Sequence, residues 1–331
     1  MDFGFTDEQN AIKETAREML AKRSPLSAVR EAAESRTYPD ALWSEIRDLG
    51  WPGIAIGEDH GGQGLGMVEL VILSEELGYA CAPTPFLSNA IAGLLIDAAG
   101  SDAQRDRWLP GIASGEKRGS IACTGDDPGL VPDAGDAAVI GLEPMTEPRL
   151  VEASEASIEP IELIDATRDY ARVSATAGEP LEGDVAGGLQ RGAVALSAEL
   201  VGLAQRAMDL AIEYAKERQQ FGRPIGAYQA VSHRCAGMLY DTEEARSLTY
   251  YAAWCAGAEP QSLPLASHMA KARASDAAWR VTNDALQVLG GIGFTWEHDL
   301  HFLLKRGKVG GELLGDTRMH RERVASLAGL A

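Results

Sequence analysis

DALQVLGGIGFTWEHDLHFLLKRGK, residues 284–308, decides how the chain is read. It closes a long Ala-rich segment that begins at LPLASHMAK, and Gly290-Gly291 is the kind of pair that ends a helix as a C-cap. The chain then reopens as a further helix through HDLHFLLKRGK. Two more long helical segments precede it, AVALSAELVGLAQRAMDLAIEYAKERQQFG and GAYQAVSHRCAGMLYDTEEARSLTYYAAWCA. In the first of these, Val201, Met208, Ile212 and Ala215 share a face, flanked by Leu203, Ala207 and Tyr214. Residues 188–331 are therefore predicted to form a bundle of long helices.

Outward from the bundle, two other regions separate by pattern. Residues 1–117 read as helical. Thr6 with Gln9 is a capping-box signature before AIKETAREMLAKR. PDALWSEIRDLGW is a second helix stopped at Gly50, and IGEDHGGQGLG is a glycine-rich loop. Residues 118–187 change character, with recurring Pro and Gly and short apolar runs (AAVIGL, IELI, ARVSA) that suggest strands. The expected fold is mainly α with a small, shortened β domain between an N-terminal helical domain and a C-terminal four-helix bundle.

The chain has 331 residues, enough for a sizeable core, and 45% of them are hydrophobic. Forty-nine acidic against 30 basic residues give a formal charge of −19, which argues against nucleic acid or an anionic membrane as partner. The excess is sharpest between 125 and 187, with fifteen Asp/Glu against Arg149, Arg168 and Arg172, and reads as a solvated acidic surface. Cys81, Cys123, Cys235 and Cys255 form no C-x-x-C pair, which fits a reducing cytoplasm. The N-terminus MDFGFTDEQN does not read as a signal peptide, and no apolar run has membrane-spanning length.

Several motifs are decoys. Gly61, Gly62, Gly64 and Gly66 do not make G-x-G-x-x-G, and no βαβ unit surrounds them. His298 and His301 lack a third metal ligand in sequence. No G-x-S-x-G elbow occurs.

YAKERQQFGRPIGAYQAV (214–231) and the opening stretch, in this order, resemble the acyl-CoA dehydrogenases. The resemblance extends to FTDEQ, GGQGLG and RWLPGIASGE and so covers nearly the whole chain. It implies FAD as cofactor, an acyl-CoA as substrate, and an electron-transfer flavoprotein or similar acceptor. In that chemistry a flavin takes a hydride from the β-carbon of an acyl thioester while a carboxylate removes the α-proton. The residues that match the family's FAD-binding strings are Arg218, Phe221, Gln229, Gln287, Gly290 and Gly291. In the family these groups reach across a dimer interface to the FAD of the neighbouring site.

The chain departs from the pattern where catalysis is expected. The family's Thr-Glu-Pro…Gly-Ser-Asp string is replaced by Cys123-Thr124-Gly125-Asp126-Asp127-Pro128-Gly129, and no Trp lies between Trp108 and Trp254. Counted from Lys308, the position of the family's base is Leu314, while Glu312 stands two residues early in KVGGELLGDTRMH (308–320). A second branch of the family places its base where this chain has Gly192 and Ala193; Glu199 lies two turns further on, where a helix–helix contact is expected. The resemblance is thus to the short, base-lacking subunits of heteromeric (α2β2) steroid side-chain dehydrogenases, with the catalytic Glu on a second subunit. Two alternatives stand beside it: a homomeric enzyme using Glu312, and an assembly subunit without FAD.

Overall fold

A computed structural model describes residues 4–123, 129–142 and 146–330. The expected fold class is observed. Six helices come first: α1 (Asp7–Arg23), α2 (Leu26–Ser35), α3 (Asp40–Asp48), α4 (Met67–Tyr79), α5 (Phe86–Ala99) and α6 (Asp102–Ser114). The sequence signals act as predicted: the Thr6 hydroxyl accepts from Gln9 N at 3.2 Å and the Gln9 side chain accepts from Thr6 N at 3.0 Å. Acidic residues occupy the first turn of α1 and basic ones the last, which suits the helix dipole.

Strands follow. β1 (Gly119–Ile121), β3 (Val139–Leu142), β4 (Arg149–Glu152) and β7 (Glu179–Pro180) form one sheet in the order β1-β3-β4-β7, in which β1 and β3 are parallel. β2 (Gly129–Pro132), β6 (Tyr170–Ser174) and β5 (Ser157–Ile161) form another, antiparallel, in the order β2-β6-β5. The sheets share a small core of Val131, Ile140, Leu142, Val151 and Val173. The predicted strand at IELI is corrected: β5 ends at Ile161. The Asp165 carboxylate accepts from Thr167 N at 2.9 Å and from Tyr170 Oη at 2.9 Å, which draws the chain into a turn instead.

The rest is the bundle: α7 (Val185–Glu217), a short hairpin of β8 (Gln219–Gln220) and β9 (Arg223–Pro224), α8 (Gln229–Ala258), α9 (Leu263–Leu289), α10 (Leu300–Glu312) and α11 (Thr317–Leu327). The predicted apolar stripe of α7 widens into a helix buried on all sides from Gly192 to Ala204. It packs against α4 backbone to backbone. A Cβ added at Gly202 would lie 2.0 Å from the Glu75 carbonyl oxygen, and one at Gly78 would lie 2.1 Å from that of Glu199. Neither position admits a side chain without moving a helix.

A buried ionic cluster fastens the strands to the helices. Arg306 on α10 and Arg168, just before β6, both donate to Oε1 of Glu199 on α7, at 2.7 and 2.8 Å. Arg306 also donates to Thr167 Oγ1 and to the Ala82 carbonyl. Burial pushes the Glu199 carboxyl up, but the two guanidiniums prevail and its pKa is lowered. The helix–helix role expected for Glu199 is what the structure shows.

Candidate functional site

Two loci carry the residues singled out from the sequence, and they lie at opposite ends of α9. The first is built where α7 ends. Arg218 leaves the helix in extended backbone, and its chain turns back through the β8–β9 hairpin. Phe221 and Gly222 form the tip, both with positive φ (53° and 81°). Left-handed backbone is costly for an aromatic residue, and this one is 91% exposed. Gln229 is the first residue of α8 and is exposed. α8 and α9 run antiparallel, with Arg234 paired to Asp284, and Arg273 donating to Glu244 at 2.6 Å. That register sets Gln229 and Gln287 at the same end of the pair.

α9 stops at Leu289 because Gly290 takes φ +63°, ψ −135°. Its N–H bonds back to Leu286 O, so the C-cap reading of this glycine holds. A Cβ at Gly290 or Gly291 would meet nothing within 4 Å. Arg218 makes no ion pair among the described residues. Large apolar side chains also stand in solvent on this bundle: Phe294 is 78%, Trp296 71% and Tyr240 66% exposed. Exposed aromatic surface of this extent marks a face that something covers.

The second locus is the turn between α10 and α11. The glycines 310–311 do not break the helix, and Glu312 is the last residue of α10. It is exposed and paired with Lys308 at 2.6 Å, one turn back. Leu314 has φ +58°, a conformation that a branched side chain rarely adopts. Four hydrogen bonds hold the turn. Leu314 N donates to Cys123 O at 3.1 Å, and His320 Nε2 meets Leu314 O at 3.1 Å. Lys271 Nζ donates to Gly311 O at 2.9 Å and to Gly315 O at 3.2 Å. Lys271 is fully buried; burial brings its pKa down to about 7, with Glu312 opposing.

Behind the turn lies a cavity of about 810 Å³, bordered by Cys123, the first turns of α7, the start of α9, Leu314 and α11. Gly192 is buried against Ile91 of α5, Ala193 lies buried in the cavity wall, and neither offers a proton acceptor. The replaced string is described only at Cys123 and Gly129; residues 124–128 lie outside the described residues. Burial drives the Cys123 thiol up to about 12, which keeps it protonated. From the cavity lining at His268 to Gln287 is 19 residues of helix, about 28 Å at 1.5 Å per residue.

The sequence reading missed Lys271, His268, His320 and Arg323. Lys271 meets Gly311 and His268 meets His320 across 40 and 52 positions of chain, so no local spacing announces them. Among the described residues no group of three or more His, Cys, Asp or Glu is placed to hold a metal ion. Nor is any described helix long and apolar enough to cross a membrane.

Comparison with known proteins agrees with this architecture. Residues 183–328 match the model of the acyl-CoA dehydrogenase C-terminal domain, and residues 6–116 match that of the N-terminal domain. The chain is 35% identical over 325 residues to the acyl-CoA dehydrogenase IpdE2 of Mycobacterium tuberculosis, covering 97% of each. It is 32% identical to the acyl-CoA dehydrogenase FadE34 of the same organism, matching 97% of this chain but 48% of FadE34. Among solved structures, the Tcur3481-Tcur3483 steroid ACAD superposes with a TM-score of 0.89 at 27% identity, covering 98% of each chain.

Proposed function

This chain belongs to the acyl-CoA dehydrogenase family, FAD-dependent oxidoreductases acting on acyl-CoA, and we propose that it is the base-lacking subunit of a heteromeric member. The observation that carries the proposal is Leu314. The turn that resembles the family's base-bearing turn is intact and held by four hydrogen bonds, yet it presents an alkyl side chain. An alkyl group accepts no proton, so the α-proton acceptor comes from another chain.

The other locus supports a contribution to a neighbour's cofactor. The residues there fit FAD. Arg218 is a cation without an acidic partner among the described residues, suited to a pyrophosphate. Gln229 and Gln287 are exposed amides at the same end of the bundle. Gly290 and Gly291 leave open space where side chains would stand, so that backbone can approach a ligand closely. Phe221, held outward at the hairpin tip, supplies an apolar face. When bound, the flavin supplies the hydride acceptor; this chain's residues would bind and orient it. A separation of about 28 Å along α9 means these groups do not serve this chain's own cavity.

The steroid ACAD relative lends the proposal its substrate class, a steroid side-chain acyl-CoA, and its paired form. FadE34, of which this chain spans 48%, leaves about half of a longer dehydrogenase for a second module. The partner would carry the catalytic Glu and the acyl pocket in an assembly of two unlike pairs, and electrons would leave to an electron-transfer flavoprotein or similar acceptor. The test is flavin content of the co-purified complex after Arg218→Ala or Gln287→Ala. The proposal expects FAD occupancy to fall in both. Unchanged flavin in both variants would contradict the half-site.

A further inference from the structure

We propose that one structural water is built into the junction of the three domains, held by Glu199 Oε2, the Ser74 and Thr84 hydroxyls and Arg306 Nε. This site is independent of the flavin half-site and of any base on a partner.

Five buried polar atoms belong to residues that wall one small cavity and have no hydrogen-bond partner among the described residues. They are Ser74 Oγ on α4, Thr84 Oγ1 just before α5, Arg168 Nε just before β6, Glu199 Oε2 on α7 and Arg306 Nε on α10. None of the five residues is more than 4% exposed. Folded interiors pair nearly all of their buried polar atoms, so five orphans around a single cavity point to a common partner. Leu77, Ala82, Phe86 and Leu87 complete the wall and offer no side-chain partner. The cavity measures about 10 Å³, the room that one water needs.

The hydrogen bonds already made say which atoms the water serves. Both guanidiniums bond Glu199 at Oε1, so the lone pairs of Oε2 have no donor. Arg306 spends its terminal nitrogens on Thr167, Ala82 and Glu199, which leaves its Nε–H. Arg168 Nε has the Asp133 carboxylate 3.8 Å away, so it is the orphan with a charged neighbour of its own. A water makes up to four hydrogen bonds, and four atoms remain. It donates to Glu199 Oε2 and to one hydroxyl, and accepts from Arg306 Nε–H and from the other hydroxyl. The ionisable groups of the cluster are Arg168, Arg306, Glu199, Asp133, Asp165, Cys81, Tyr38 and Tyr170. Burial keeps the Cys81 thiol, at about 12, and both tyrosines protonated. An anion would be repelled by Glu199 and a cation by the two guanidiniums, so the occupant is neutral. Its partners come from the N-terminal helices and from two helices of the bundle, beside the arginine that anchors the strands.

The experiment is a crystal structure of the protein, in the assembly in which it is purified, with crystals soaked in sodium bromide and measured at the bromine absorption edge. The expected map has one ordered peak within hydrogen-bonding reach of Glu199 Oε2, and no bromide signal there. A cavity without density, the five atoms paired directly with one another, or a bromide peak would each overturn the proposal. Ser74→Val, whose added methyl group takes the water's space, should remove the peak and lower the urea midpoint. Thr84→Ser, which keeps the hydroxyl, should preserve the peak. A peak that persists in Ser74→Val, or a midpoint that does not move, would also overturn the proposal. If Ser74→Val does not fold, the wild-type and Thr84→Ser maps decide.

Discussion

Replacing Glu199 by Gln tests whether the bundle's buried carboxylate is structural or catalytic. Glu199 is 3% exposed, and the guanidiniums of Arg168 and Arg306 converge on its Oε1 at 2.8 and 2.7 Å. Glutamine keeps the shape and one weak acceptor but removes the charge, leaving two buried cations with only Asp133 and Asp165 nearby. Breaking a buried ion pair from one side costs roughly 3–5 kcal/mol, and the retained amide oxygen puts this variant near the lower end, about 3 kcal/mol. For a chain of 331 residues that is a fall in Tm of about 4 °C. Thermal and urea denaturation measure it. Adding Arg306→Met should recover part of the loss, because the second variant removes one of the stranded charges. A stability change under about 1 kcal/mol together with a large drop in kcat would refute the structural role and make Glu199 a candidate base.

Three further outcomes are expected. Glu312→Gln in the complex should leave kcat within about threefold, since the exposed Glu312–Lys308 pair is worth little and no proton transfer rests on it; a collapse of kcat would restore Glu312 as base. Gly291→Val should unfold at the same urea concentration as wild type, because a Cβ there meets nothing within 4 Å, yet the flavin content of the complex should fall; full flavin occupancy would count against the glycine cradle. The His320 pKa, held by burial at about 4 against an unfolded value of about 6.5, sets a pH window. Between these values the unfolded chain binds more protons, so His320 withdraws stability as pH falls from about 6.5 to about 4. His320→Gln should flatten that part of a stability–pH curve, and an unchanged slope would contradict the assignment.

What the sequence disclosed was what local chemistry controls. The capping box at Thr6, the helix end at Gly290 and the amphipathic face around Val201 and Met208 were legible because each rests on neighbours within a few residues. The reading of Leu314 in the place of a base rests on the family resemblance alone. The turn around it was not legible: it depends on Lys271 and His320 arriving from two other helices, and on an alkyl residue at φ +58° that composition does not announce. The end of β5 was misplaced for a related reason, since Asp165 redirects the chain through hydrogen bonds that outweigh the β propensity of IELI. That α10 continues through Gly310 and Gly311 is likewise not written in local propensity, because packing against α7 and α9 overrides it.

We propose above that this chain lends FAD-binding groups to a site whose base belongs to another subunit. Flavin stoichiometry and acyl-CoA oxidation, measured on the chain purified alone and again after co-purification with an unlike family member, test it most directly. The expected result is a colourless, inactive chain alone, and in the complex one FAD per unlike pair with turnover abolished by removing the partner's Glu. A yellow chain that oxidises acyl-CoA by itself would contradict it.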